Sequence, residues 1–308
     1  MAQPQTVKKE KVRWNFKVTA PLYCMILPAI VLVFIFNYIP MYGMVISFQK
    51  YQPTQGFIGS PFVGLFWFRY LFSMPDFWQI ITNTFTIAIA KIVFGQLVPI
   101  IFALLLNEIR QIHFKRSVQT LVYLPNFLSW VIVGTMFVDI LSTKGIVNQF
   151  IGLFGVKPIF FLGNNGTFRS TIVTVDIWKN FGWNSIIYLA ALTSINQELY
   201  EAASIDGANR IQQTWHVTLS GILPTIILLS TLALGNVLNA GFEQLLMMYN
   251  PAVYRTGDIL DTFVYRSGLL EAQFSLASAV GTLKSICGCI MIVLSYYLVA
   301  KFSDYRVF

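Results

Sequence analysis

The chain has 308 residues, of which 56% are hydrophobic and only 11% charged, with a formal net charge of +8. A soluble domain carries about a quarter charged residues. The shortfall counts against a soluble enzyme, a disordered chain or a nucleic-acid binder, and it predicts a bundle of membrane-spanning helices. The positive charge is concentrated in residues 1–17, where Lys8, Lys9, Lys11, Arg13 and Lys17 precede the first apolar run. Such a basic tail marks a cytoplasmic flank. The run behind it is too long for a signal peptide, and no small-residue cleavage site follows.

Residues 18–308 read as a single all-α transmembrane domain with six spans. The first lies within residues 18–49, which hold no charge but contain Pro21, Pro28 and Pro40. That stretch exceeds the roughly 20 residues a span needs, so a kinked or overlong helix is expected. The second covers about Phe77–Asn107 around Lys91, and the third about Val118–Leu141. The fourth runs from about Ser170 to Ile195 and carries Asp176 and Lys179. The fifth covers about Gly221–Ala240, and the sixth about Phe274–Ala300 with Lys284 inside it. Six spans put both termini on one side, which the basic tail assigns to the cytoplasm of a bacterial cell. Residues 142–169 and 241–273 are then external, and residues 196–220 cytoplasmic.

Cys24, Cys287 and Cys289 all fall in apolar runs and read as small fillers, not as disulfide or metal ligands. His113 and His216, the only histidines, form no metal-binding pattern. No phosphate loop, H-E-x-x-H or G-x-S-x-G sequence occurs, so no catalytic residue, metal or ATP site is expected in this chain.

The segment 196–220 is the most informative. Asn196 is a plausible helix cap, with Glu198 in the first turn. Leu199, Ala202 and Ala203 then share a narrow face. Asp206-Gly207 ends that helix, and Ile211, Trp215 and Leu219 give a second helix an apolar face. Within it Glu201-Ala202-Ala203, Asp206-Gly207-Ala208, Val217, Leu219 and Pro224 resemble the "EAA" coupling loop of bacterial ABC-importer permeases. Val217 replaces the usual isoleucine, and Ser220 stands where a proline is usual. Further stretches are similar to the branch that imports complex oligosaccharides and polysaccharide fragments. They include Tyr38-Ile39-Pro40-Met41-Tyr42-Gly43, Tyr123-Leu124-Pro125, Gly182-Trp183-Asn184-Ser185, Gly241-Phe242-Glu243-Gln244 and Asp261-Thr262-Phe263-Val264-Tyr265-Arg266.

The resemblance implies a permease subunit of an ATP-driven importer that works by alternating access. It implies a second homologous permease, a dimer of cytoplasmic ATPases that bind the ATP and magnesium, and an extracellular sugar-binding protein. Glu201, Ala202, Ala203, Asp206, Gly207, Ala208 and Leu219 would form the ATPase-coupling lever. The competing class, an ion-coupled secondary transporter or channel for a small polar solute, needs no such docking segment.

Charge inside a span is costly and should face the bundle interior or a wet cavity. Asp176, Lys179, Asn180 and Trp183 recur at i, i+3, i+4 and i+7, which predicts one polar, aromatic face on the fourth helix. That face, with Lys284, is the candidate substrate path. The alternative is that Asp176 and Lys179 merely pair with each other. Three intramembrane lysines against two aspartates make an acidic, uronate-type oligosaccharide the more attractive cargo. In the segment 241–273, Asp258 and Asp261 are candidates for docking the binding protein.

Overall fold

The computed structural model describes residues 16–302, and Lys8, Lys9, Lys11, Arg13 and Arg306 lie outside them. The regular elements among the described residues are all helices, joined by turns and short extended stretches, with one isolated antiparallel bridge between Gln49 and Phe62. The first helix, α1, spans Phe16–Val33. It continues as a π-turn over Phe34–Tyr38 and a 3-10 stretch over Ile39–Phe48. Pro40 explains the change of pitch, because it has no N–H to return to the preceding turn. None of the apolar window in Tyr23–Phe48 is buried. Met25 is 78% and Phe36 70% exposed. This apolar surface suits lipid or another subunit.

Helix α2, Phe77–Glu108, is the expected second span. The expected third span is not one helix. It divides into α3, Ile112–Tyr123, a 3-10 turn over Leu124–Phe127, and α4, Trp130–Ile140. The two parts meet at a bend of 101°. Pro125 opens the 3-10 turn, Leu128 and Ser129 are extended, and Ser129 Oγ caps α4 by accepting from the Ile132 N–H. A proline followed two to four residues later by an N-cap serine is a stop and a restart, which the apolar composition of the stretch conceals.

Helix α5, Phe168–Thr193, α6, Gln197–Ile205, α7, Leu219–Gly235, and α8, Phe274–Phe302, complete the frame. Four helical stretches are long and apolar enough to cross a membrane, and the bent pair brings the number to five. Against the six expected spans, the one that fails this measure is α5. Its Arg169, Asp176, Lys179, Asn180 and Asn184 make it too polar. It is nevertheless interior: Phe168, Ile172, Val175, Lys179, Tyr188 and Leu192 are all buried. A polar helix lined by apolar neighbours is the arrangement that keeps its charges away from lipid.

The main core joins Ile80, Ile87 and Ala88 of α2 to Ile172 and Val175 of α5 and to Leu276, Ala279 and Val280 of α8. The segment 241–273 contributes Leu245, Met248, Val253, Ile259, Leu260 and Phe263 to the same core. It is therefore a set of packed short helices, not an open loop. Asn83, fully buried near the start of α2, ties three elements together. It accepts from Arg169 Nη2 at 2.6 Å and donates to the carbonyls of Asp258 and Arg255 at 3.0 and 3.2 Å. A smaller cluster of Ala103, Tyr188, Leu192 and Ile222, with Leu219 and Ile195 against it, lies at the other end of α5.

Helices α3 and α5 cross where Gly182 leaves room. A Cβ there would collide with the backbone carbonyl of Val122, whereas one at Gly281 on α8 would meet nothing within 4 Å. Gly182→Ala should cost about 1–3 kcal/mol through overpacking, and Gly281→Ala should be neutral or slightly stabilising. Thermal unfolding of the two purified variants in detergent checks this.

Candidate functional site

A cavity of about 360 Å³ opens between α2, α5 and α7. Lys91 and Gln96 line it from α2, Asp176, Asn180 and Asn184 from α5, and Asn236 and Asn239 from the turn after α7. Phe181 and Tyr188 add aromatic surface. The spacing 176, 180, 184, 188 is i, i+4, i+8, i+12, a single stripe along α5. The volume lies in the 300–1,000 Å³ range of small-molecule sites, and apolar walls with convergent amide groups suit a hydroxylated ligand.

Lys91 anchors the cavity. Its Nζ donates to the Ala240 carbonyl at 2.9 Å and to Gln244 Oε1 at 2.5 Å, and it lies 3.3 Å from Asp176 Oδ1. Gln244 is fully buried and donates in turn to the Ile172 carbonyl of α5 at 2.8 Å. Gly241 makes this possible twice over. Its φ of +96° is left-handed, and any Cβ would occupy the position of the lysine ammonium. A lysine that sequence alone would let reach toward the membrane surface is thus held inside.

The expected polar face of α5 is divided. Asp176 and Asn180 face the cavity, but Lys179 and Trp183 face the break between α3 and α4. Lys179 is buried, donates to the Asn126 carbonyl at 2.8 Å, and lies 5.3 Å from the Trp130 ring centroid. Trp183 meets Phe127 edge-on at 5.4 Å. Asn180 touches both sides, accepting from Asn126 Nδ2 at 3.0 Å. The alternative of an Asp176–Lys179 pair is corrected: Asp176 pairs with Lys91, and Lys179 makes no ion pair among the described residues. The four positions share one face of about 100°, and the neighbours of α5 split it. Lys284, also expected on the path, donates to Asp261 Oδ1 at 2.6 Å and Asn239 Oδ1 at 2.8 Å. Asn184, Gln96, Asn236 and Asn239 were missed because uncharged amides give no signal in a search for charge.

The segment 196–220 forms a helix–turn–helix. Asn196 Oδ1 accepts from the Glu198 N–H and caps α6. Gly207 sits at φ +81°, with Ala208 N–H donating to Ala203 O and Gly207 N–H to Ser204 O. Those two bonds are the Schellman closure that a C′ glycine permits. Asn209 and Gln212 make a reciprocal capping box for the next turn. Tyr200 and Thr218 hydroxyls meet at 3.0 Å, bracing the two arms. Glu201, Ala202 and Asp206 are exposed, Ala203 and Ala208 half-buried, and Leu219 packs into the smaller core cluster. Ile205, Ile211 and Trp215 are 86%, 80% and 66% exposed, so the apolar face expected to run through Ile211 and Trp215 points away from the fold.

The docking candidates in segment 241–273 are not a free charged rim. Asp258 is buried, pairs with Arg266 Nη2 at 2.6 Å, and accepts from Thr262 Oγ1 at 2.7 Å. Asp261 is occupied by Lys284. Charge order along a chain shows which signs are present, but not that they satisfy one another. Burial would lower the Arg266 guanidinium, and the hydrogen-bonded Asp258 carboxylate outweighs it and holds it above its ordinary range.

Two consequences are measurable. Asp258→Asn should lose roughly 1–3 kcal/mol of stability by removing the short charge-assisted bond to Arg266, which keeps only the longer contact to Glu271, read as a fall in the thermal midpoint. A docking residue on the surface would leave that midpoint unchanged. In the second, Lys91→Met should lower folded yield by stranding Asp176, and adding Asp176→Asn should restore it only in part, because the Ala240 carbonyl and Gln244 Oε1 stay unpaired. Lys179→Met should lower yield by freeing the Asn126 carbonyl, and Asp176→Asn should not restore it. Folded yield by size-exclusion chromatography across the single and double variants separates the two lysines.

A family model described as "Binding-protein-dependent transport system inner membrane component" matches residues 95–304. The polygalacturonan/rhamnogalacturonan transport system permease protein YteP of Bacillus subtilis (strain 168) is 43% identical, over 92% of this chain and 88% of that protein. Protein LplB of the same organism is 41% identical, over 93% and 91%. Among solved structures, a bacterial ABC transporter involved in the import of the acidic polysaccharide alginate superposes with a TM-score of 0.87 at 36% identity, over 94% of this chain and 98% of that one. A second structure of a bacterial alginate ABC transporter, in complex with an alginate pentasaccharide-bound periplasmic protein, matches with the same score and identity. Packed helices around a polar cavity, an exposed helix–turn–helix and this breadth of similarity agree: the chain is a multi-pass membrane protein that belongs to the binding-protein-dependent transport family, as an inner membrane permease component of an ABC sugar importer.

Proposed function

We propose that this permease carries an oligosaccharide derived from an acidic polysaccharide into a bacterial cell. It does so by alternating access, beside a second homologous permease. Two cytoplasmic ATPases, which bind the ATP and magnesium, dock on the segment 196–220. An extracellular sugar-binding protein delivers the cargo, and both termini lie in the cytoplasm. The observation that carries the cargo class is the 43% identity to a polygalacturonan/rhamnogalacturonan permease over 92% of the chain. The likeness to an importer of acidic alginate supports it. The exposed Ile205, Ile211 and Trp215 support ATPase docking, since an apolar edge around a Schellman turn offers both contact area and a fixed shape. The cavity faced by Asp176 and Asn180 is the proposed sugar path in this chain. Lys179 and Trp183 stand beside it, at the bend.

Uptake by the full assembly in proteoliposomes tests the cargo class: oligogalacturonates should enter at least tenfold faster than neutral gluco-oligosaccharides. Equal rates would remove the acidic assignment. The docking role has its own test. Gly207→Leu forces a branched side chain into left-handed backbone, at a cost on the order of 1–2 kcal/mol, and Glu201→Arg reverses a charge on the exposed edge. Both variants should insert normally while substrate-stimulated ATP hydrolysis falls severalfold. Full coupling in both would show that the segment is not the lever.

A further inference from the structure

The electrostatics of the cavity point to a more specific assignment, which rests on the importer reading above. An ammonium has three protons and no acceptor. Lys91 donates to the Ala240 carbonyl and Gln244 Oε1 and lies 3.3 Å from Asp176 Oδ1, so its charge is already matched by a carboxylate of this chain. Lys284 is turned to Asp261 and Asn239, and Lys179 to Asn126 outside the cavity. The cavity therefore presents no unsatisfied cation to a carboxylate.

It presents acceptors instead. Asp176 lines the cavity, and Lys91 is its one partner among the described residues. A carboxylate has about four lone-pair sites, so most of its accepting capacity stays open. Ionised acceptors make hydrogen bonds roughly twice as strong as neutral ones, and sugar hydroxyls are donors. Lys91 at 3.3 Å offsets the Asp176 charge, so the pair gives a uronate carboxylate no net attraction. Asn180, Asn184, Asn236 and Asn239 add amides that both give and accept.

A second, independent observation lies in the wall. Tyr188 is 1% exposed and lines the cavity, and its hydroxyl has no hydrogen-bond partner among the described residues. A buried hydroxyl without a partner costs about 1–3 kcal/mol, so it persists where something else satisfies it. A ligand hydroxyl would do so.

We infer that this cavity is a subsite for an uncharged, hydroxyl-bearing sugar unit, read by the free oxygen of Asp176, the amides and Tyr188. It does not read a carboxylate. An acidic oligosaccharide then passes with its carboxylates turned toward the second permease or toward water, and this chain grips a hydroxylated face.

The probes are a galacturonate trisaccharide and its carboxyl-reduced counterpart, which keeps the ring hydroxyls and loses the charge. Calorimetry measures their binding to the full membrane assembly in nanodiscs without binding protein. The wild type should bind both within about threefold of each other. Tyr188→Phe removes one oxygen that has no protein partner, so folding should be unaffected. It should weaken both probes by about three- to tenfold, the value of one neutral hydrogen bond. Asp176→Asn should weaken both by about tenfold or more. If Asp176→Asn instead tightens the uronate probe alone, the cavity reads carboxylates and the inference falls. It falls too if the wild type prefers the uronate more than tenfold, if Tyr188→Phe changes neither affinity, or if neither probe binds. Failure of the wild-type assembly to import the uronate probe with loaded binding protein is a different result. It would overturn the importer reading and not the subsite chemistry.

Discussion

The structure depends on where the ammonium of Lys91 is put. A charge in the middle of an apolar helix costs several kcal/mol unless it is surrounded by oxygen. Here the oxygens come from three places: Asp176 on α5, the Ala240 carbonyl after α7, and Gln244 beyond Gly241. Satisfying one lysine therefore fixes the separation of α2 and α5, the exit of the chain from α7, and the left-handed turn at Gly241. The gap held open between those helices is the cavity. Its neutrality has the same cause, since the residue that anchors the walls is the one whose charge is spent.

Much of the fold was legible because hydrophobic length is a blunt but sound signal. Helix α2 matches the second expected span almost to the residue, and α8 the sixth. The helix–turn–helix was legible because caps and a C′ glycine act locally. Asn196, Gly207 and their partners lie within a few residues of each other. The third span was misread for the opposite reason. Hydropathy averages over the stop at Pro125 and the restart at Ser129, and only the backbone reveals a bend between them.

The site was less legible. Helical spacing places Asp176, Lys179, Asn180 and Trp183 within one broad arc, but partners decide which part of an arc matters. The crossing at Gly182 brings α3 close and turns Lys179 and Trp183 toward Asn126 and Phe127. That leaves Asp176 and Asn180 to the cavity. Pairing is a long-range property: Lys91 and Asp176 are far apart in sequence, as are Asp261 and Lys284. A count of three lysines against two aspartates reads as surplus positive charge. The structure spends one of those lysines on Asp176, one on Asp261 of the segment 241–273, and the third on a carbonyl.

Helix α5 joins the segment 196–220 to the cavity. Helix α5 ends at Thr193, and α6 begins at Gln197. The intervening Ile195 packs where Gly221 leaves no room for a Cβ. Tyr188, in the wall of the cavity, belongs to the same small cluster as Leu192, Ile222 and Leu219, the last at the exit of the segment 196–220. The route from the exposed edge at Ile211 and Trp215 to the cavity is thus one rigid helix and one cluster of packed side chains. Packed clusters of this sort move as bodies, not by graded deformation. On the proposed function, a displacement of segment 196–220 would shift α5 against α2, and the Lys91–Asp176 contact is the first interaction that shift must stretch. Loosening it would change the hydroxyl-reading oxygen of Asp176 and the shape of the cavity in the same motion. Grip on the sugar and the position of the lever would then be two readings of a single ion pair.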